Sequence, residues 1–292
     1  MRGERGDLYR DAITIWPAQT APPSTNAHSR WVASVATPAE LLALLDESPE
    51  GLEWIEVRGL LDDLELWRAV AQRHDALSLD VLMQDPLEEF SRLYRLVDAS
   101  HARPIGVTMP VRPGFLKALK LATSIGLPVR LLPGQPVGAA LAELDEALSL
   151  YLYDPMVDAP VEFFHSVLSH FHGHHPGDLW GILQEEPAMF PRRDEKGHVR
   201  VPRTAEVFSE MDTVVTPAGF VERHVTHLLD SGAECALCPW LGMCQGYFKW
   251  PDENYSCAAG IIPLFDRLKQ AADEMRAALA EKEPMLESTL TS

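Results

Sequence analysis

WVASVATPAELLALLDESPEGLEWIEV (residues 31–57) contains a whole strand–helix–strand unit. WVASVA (31–36) is a short, largely apolar run of the kind that forms a strand buried on both faces. In TPAELLALLDE the apolar residues recur at spacings of three and four, and Thr37 with Glu40 forms a capping box that sets the helix start. The chain then turns through Pro49 and Gly51 into LEWIEV (52–57). The same alternation continues through LSLDVLM (77–83), IGVTM (105–109) and VRLLP (129–133). The segments between them, LDDLELWRAVAQRH, DPLEEFSRLYRLVDA and RPGFLKALKLATSIG, have helical spacing, and Gly126 sits where a helix ends. Strands roughly 25 residues apart that alternate with helices build right-handed βα units on a parallel sheet. Five such units are too few to close an eight-stranded barrel. The expected fold is therefore α/β, a partial (open) βα barrel.

The rest of the chain divides around that block. Residues 1–30 are expected to be an N-terminal segment and linker, because PAQTAPPSTNAHSR (17–30) is rich in Pro, Ser, Thr and Ala. The barrel is assigned to 31–186, a cysteine-rich region to 187–260, and an amphipathic helix with an unstructured tail after Pro284 to 261–292. The formal charge of −18 disfavours nucleic acid and anionic membrane surfaces, since both are polyanions. No run of about 18 apolar residues is present to span a bilayer. MRGERGDLYRDAITIW lacks the apolar core of a secretory signal. Four cysteines confined to residues 235–257 look like one site in a reducing compartment rather than a disulfide framework, so a cytoplasmic location is expected.

Cys235, Cys238, Cys244 and Cys257 follow the spacing C-x2-C-x5-C-x12-C. A CxxC turn brings two thiolates onto one metal, and two further cysteines complete four ligands. Gly242 and Gly246 supply loop freedom, while Trp240, Tyr247, Phe248, Trp250 and Tyr255 interleave with the ligands as a shield against water. Spacing alone fits zinc and iron–sulfur equally.

ECALCPWLGMCQGYFKWPDENYSC (234–257) resembles the C-terminal SPASM/twitch region of radical SAM peptide-maturing enzymes. There, a CxxC-x5-C run with a later cysteine holds an outer auxiliary [4Fe–4S] cluster. That resemblance turns the preference from zinc to [4Fe–4S]. Upstream, VTPAGFVERH (215–224) is similar to the family's hairpin, with His224 where an inner-cluster cysteine usually stands. WIEVRGLLDDLELWRAVAQR (54–73) lines up with the strand whose GGEP-like turn contacts the SAM amine, although here the turn reads RGLLDD. No CxxxCxxC occurs before residue 235, so nothing supplies the three thiolates of a SAM-binding cluster. The resemblance implies a relative without SAM radical chemistry. It would be an accessory subunit in peptide (RiPP-like) or natural-product maturation, with a peptide substrate or a partner maturation enzyme on the open face of the barrel. Two rivals are an enzyme using the cluster or histidines at the barrel mouth for redox or Lewis-acid chemistry, and a zinc-stapled binding protein.

Other polar residues are weighed against ordinary roles. His165, His170, His172, His174 and His175 crowd one segment, and His172-x-His174 has chelating spacing; solvated histidines at a helix end are the simpler reading. His224, close before the cysteines, is a candidate further ligand or proton-transfer group, with a backbone-bonded hairpin histidine as the simpler reading. Asp62, Asp63 and Glu65 stand at a helix start, where the dipole favours them. Arg58, Arg112 and Arg130 are expected near strand C-termini, the edge of a parallel sheet where ligands bind, and are candidate ligand-binding residues.

Overall fold

The computed structural model describes residues 12–18, 30–73, 76–174, 177–194, 196–201, 213–214 and 216–289. Ten strands form one sheet: β1 (Thr14–Pro17), β2 (Trp31–Val35), β3 (Leu52–Arg58), β4 (Ser78–Leu82), β5 (Ile105–Pro110), β6 (Val129–Leu132), β7 (Val161–Glu162), β8 (Arg192–Arg193), β9 (Val199–Val201) and β10 (Thr213–Val214). Their order is β10-β9-β8-β1-β2-β3-β4-β5-β6-β7. From β8 to β7 every neighbour is parallel, and β9 and β10 add antiparallel strands at one edge. The eight parallel strands curl into a half-barrel, so the partial βα barrel is found.

The sheet is wider than the five strands expected. β1 lies in the segment read as a leader and linker, yet it pairs with β2 and β8. β8 to β10 come from the region assigned to the cysteine domain, yet they extend the barrel sheet. These strands of two to four residues, unlike VRLL of β6, lie outside the regular strand–helix alternation and show little periodicity of their own. Most of the expected linker, residues 19–29, lies outside the described residues.

The helices are α1 (Pro38–Glu47), α2 (Leu64–Ala71), α3 (Pro86–Glu89), α4 (Val97–Ala102), α5 (Phe115–Ser124), α6 (Gly138–Tyr153), α7 (Phe164–Phe171), α8 (Leu179–Ile182), α9 (Phe220–Asp230), α10 (Leu241–Cys244) and α11 (Ile261–Thr289). Local chemistry starts and stops them as the sequence suggests. The Thr37/Glu40 capping box is formed, and the Asp63 and Asp85 side chains cap α2 and α3. Gly126, at φ 77°, ends α5: its N–H bonds Thr123 O and the Leu127 N–H bonds Ala122 O, the paired bonds of a Schellman turn. α11 continues through Pro284 to Thr289, where an unstructured tail was expected.

The two faces of the sheet differ. Ala33, Val35, Ile55, Val57, Val81, Val107, Met109 and Leu131 pack against Leu41, Leu45, Trp67, Val70, Leu93, Phe115 and Leu119 in the main core. The alternate residues line the concave side, and many are charged. Glu56 pairs in register with Asp80, Asp80 with Gly106, Thr108 with Arg130, and Arg130 with Glu162. Arg192 on β8 grips Glu56 on β3 with two bonds of 2.6 Å each, across β1 and β2. The Glu56 side chain is only 3% exposed. Burial pushes its carboxyl up, but Arg192, with Arg58 and Arg130, outweighs burial and holds it below the ordinary glutamate range.

Arg192→Met strands the buried Glu56 charge and should lower unfolding free energy by about 3–5 kcal/mol in urea titration. Pairing it with Glu56→Gln should recover much of that loss. Because the folded-state pKa of Glu56 is depressed, the pair's contribution is present above the unfolded glutamate pKa and is lost as pH falls through the folded value. The acid limb of the stability–pH curve should therefore flatten in Arg192→Met.

Candidate metal centre

The cysteine segment is a chain of short turns docked at the C-terminal ends of the strands. Cys235 lies in a 3-10 turn (Glu234–Leu237), Cys238 follows it, Cys244 ends α10, and Cys257 stands four residues before α11. The Gln135 amide, just past β6, donates to Phe248 O at 2.9 Å and Asp252 O at 2.7 Å. The Tyr255 hydroxyl donates to Pro136 O at 2.8 Å. From the barrel's last helical turn, the Trp180 indole donates to Gln245 O at 2.9 Å, and Glu185 accepts the Tyr247 hydroxyl at 2.6 Å. Gly246, at φ 71°, is needed here: a Cβ would lie 2.7 Å from Leu228 and 3.2 Å from the His224 ring.

All four cysteines line one apolar cavity. Trp240, Phe248 and Phe265 form its aromatic walls, with Ile261 and Ile262 from the start of α11. The charged groups among its lining residues are Glu234 and Lys249. Lys249 is buried, 2.7 Å from Glu234 Oε1, and also donates to Tyr255 O. Glu234 accepts the Cys257 N–H at 2.8 Å, so one carboxylate joins the ends of the motif. Burial pushes Glu234 up, but the Cys257 N–H and Lys249 outweigh it and keep the carboxyl below its usual range.

The thiols are in mutual electrostatic reach. Burial raises Cys235, Cys244 and Cys257 above the ordinary thiol value, Cys244 to about 12, and neighbouring cysteines add to each rise. Lys249 pulls Cys235 and Cys257 the other way. Among the described residues no three His, Cys, Asp or Glu side chains converge on one ion. A tetrahedral zinc site needs sulfurs within about 3.8 Å of one another, since Zn–S is about 2.3 Å. The four cysteines line the same cavity. A soft, all-thiol donor set in an apolar pocket with one buried ammonium suits a thiolate-ligated cluster.

The remaining candidates fall elsewhere. The stretch expected to form a hairpin at 215–224 instead starts α9, whose face Phe220–His224–Leu228 is buried. Spacing by four is helical, and that periodicity overrides the motif likeness. His224 Nε2 bonds Gly246 O at 3.1 Å, inside a cage of Trp180, Phe220 and Trp250. Burial lowers its pKa, so near neutral pH it is an uncharged donor to backbone, outside the cysteine cavity. α7 ends at Phe171; His172 is its C-cap, with Nε2 buried and no hydrogen-bond partner among the described residues, and His174 is exposed. His175 lies outside the described residues. Arg58 closes β3 and Arg112 lies two residues beyond β5. Arg130 is the second of the four residues of β6, bonded to Asp80 at 3.1 Å and Gln184 at 2.8 Å. Arg58 and Arg130 both act electrostatically on the buried Glu56 carboxylate.

Glu234, Lys249 and Phe265 were missed by sequence reading. Lys249 had a signal, a single cation inside the aromatic run YFKW (247–250). In metal-free protein, iodoacetamide should modify Cys244 and Cys257 roughly tenfold or more slowly than free cysteine near neutral pH, because only thiolate reacts. Their labelling, followed by peptide mass spectrometry, should rise as pH approaches the raised values.

Comparison with protein-family models, curated proteins and solved structures finds no match to this chain.

Proposed function

We propose that this chain is a SAM-independent iron–sulfur protein of SPASM-like type, an accessory subunit in peptide or natural-product maturation. The observation that carries this reading is the convergence of Cys235, Cys238, Cys244 and Cys257 on one apolar cavity beside buried Lys249. When bound, a [4Fe–4S] cluster supplies one-electron transfer. The chain's own residues prepare its seat. Lys249 sets positive charge beside four ligands that become anionic on binding, and Glu234 holds Lys249 in place. Trp240, Phe248 and Phe265 keep water from the sulfurs. The accessory role is supported by the sequence, which has no CxxxCxxC before residue 235.

Protein purified without oxygen should contain about four irons and four sulfides per chain and absorb broadly near ~400 nm. One zinc with no sulfide would overturn the cluster reading and leave a structural staple. Cys238→Ser should release most of the iron and loosen residues 234–257 in hydrogen exchange, because ligation and local folding are coupled. Unchanged metal content in that variant would remove the assigned ligand set.

The accessory role has its own test. The tagged chain, purified from its own cells, should bring down an enzyme with an intact CxxxCxxC or a peptide substrate. Repeated recovery alone, with its cluster filled, would refute that role and leave the metal assignment standing.

A further inference from the structure

We propose that the concave side of the half-barrel is a second, separate binding site, for a ligand with one protonated amine on an apolar body. A cavity of about 280 Å³ lies there among the first residues of β3 to β7. Its cause is visible in the register. Gly106 faces inward beside Asp80 and contributes no side chain, and Ser78 contributes only a small one. Trp54, Pro128 and Pro160, with the backbone of Leu79, Val107 and Val129, make most of the wall apolar. Gln135, which holds the cysteine segment, follows the other end of the strands, so this site does not depend on the metal reading.

The charges select the ligand. Glu53 is gripped by Arg30 at 2.7 and 3.2 Å. Asp80 is held by Thr108 at 2.7 Å and Arg130 at 3.1 Å, and Arg130 is also engaged by Gln184 at 2.8 Å. Those carboxylates are each matched by a cation. Glu162 is not: its side chain accepts only the Ser166 N–H, at 3.2 Å, and has no ion-pair partner among the described residues. Among the described lining residues, Glu53, Asp80 and Glu162 are met by two guanidinium groups, Arg30 and Arg130, the latter beside both Asp80 and Glu162, so the wall is left net negative, which favours an ammonium and repels a carboxylate. The apolar wall suits an aromatic or aliphatic body attached to that amine.

The test uses the full chain as purified and three probes that share a phenethyl body, phenethylamine, 2-phenylethanol and 3-phenylpropionate, titrated calorimetrically. The amine should bind saturably, one per chain, at least about tenfold more tightly than the alcohol, with the carboxylate weakest. Glu162→Gln keeps the Ser166 bond and should erase the amine's advantage while leaving the alcohol unchanged. At Gly106 an added Cβ would meet only Pro128 O at 3.8 Å, so Gly106→Leu can fill the cavity without backbone strain. That variant should abolish binding of both, with circular dichroism reporting its fold. Absence of saturable amine binding to the wild-type chain, amine binding unaltered in either variant, or preference for the carboxylate would each overturn the proposal.

Discussion

A carboxylate almost wholly removed from water must be answered by a cation, and in this protein that constraint falls on Glu56. Its answer, Arg192, comes from the far side of two intervening strands and from a sequence position 136 residues away. The ion pair therefore spans the curvature of the sheet. It gives the very short β8 a fixed place beside β1, which backbone pairing at Ile15–Arg192 alone would hold weakly. Inside the half-barrel Asp80, Thr108, Arg130 and Gln184 extend the same logic, each polar side chain meeting another. The convex face needs no such matching, because apolar residues from strands and helices fill it.

The segment after β7 couples these two worlds. Gln184 reaches into the barrel toward Arg130, while neighbouring Glu185 accepts the Tyr247 hydroxyl and Trp180 holds Gln245 O. A few residues thus register the cysteine turns against the sheet. α11 completes the enclosure from the other side, with Phe265 against Trp240 and Phe248. Gly260 permits that approach, since a Cβ there would lie within 2.3 Å of Leu141 on α6.

Much of this was legible in the chain because regular elements advertise themselves by period. WVASV, LEWIEV and IGVTM became strands almost at their expected bounds, and Thr37, Glu40 and Gly126 took the cap roles their chemistry suits. TIWP, VE and RR did not stand out, because strands of two to four residues owe their form to neighbours. The cysteine spacing picked out four residues that line one cavity. It could not identify Lys249, Glu234 or Phe265, whose roles arise from three-dimensional convergence.

The Glu234 contacts bear on how the centre is assembled. Glu234 precedes the first ligand, receives the N–H of the last, and is fixed by Lys249. Both contacts are made between protein atoms alone. The two ends of the loop are tied by the polypeptide itself, so the entropy of gathering residues 23 positions apart is spent during folding, while the turns between them are left to be ordered. A group bound between those ends would meet a chain already gathered there, which lowers the ordering cost of binding.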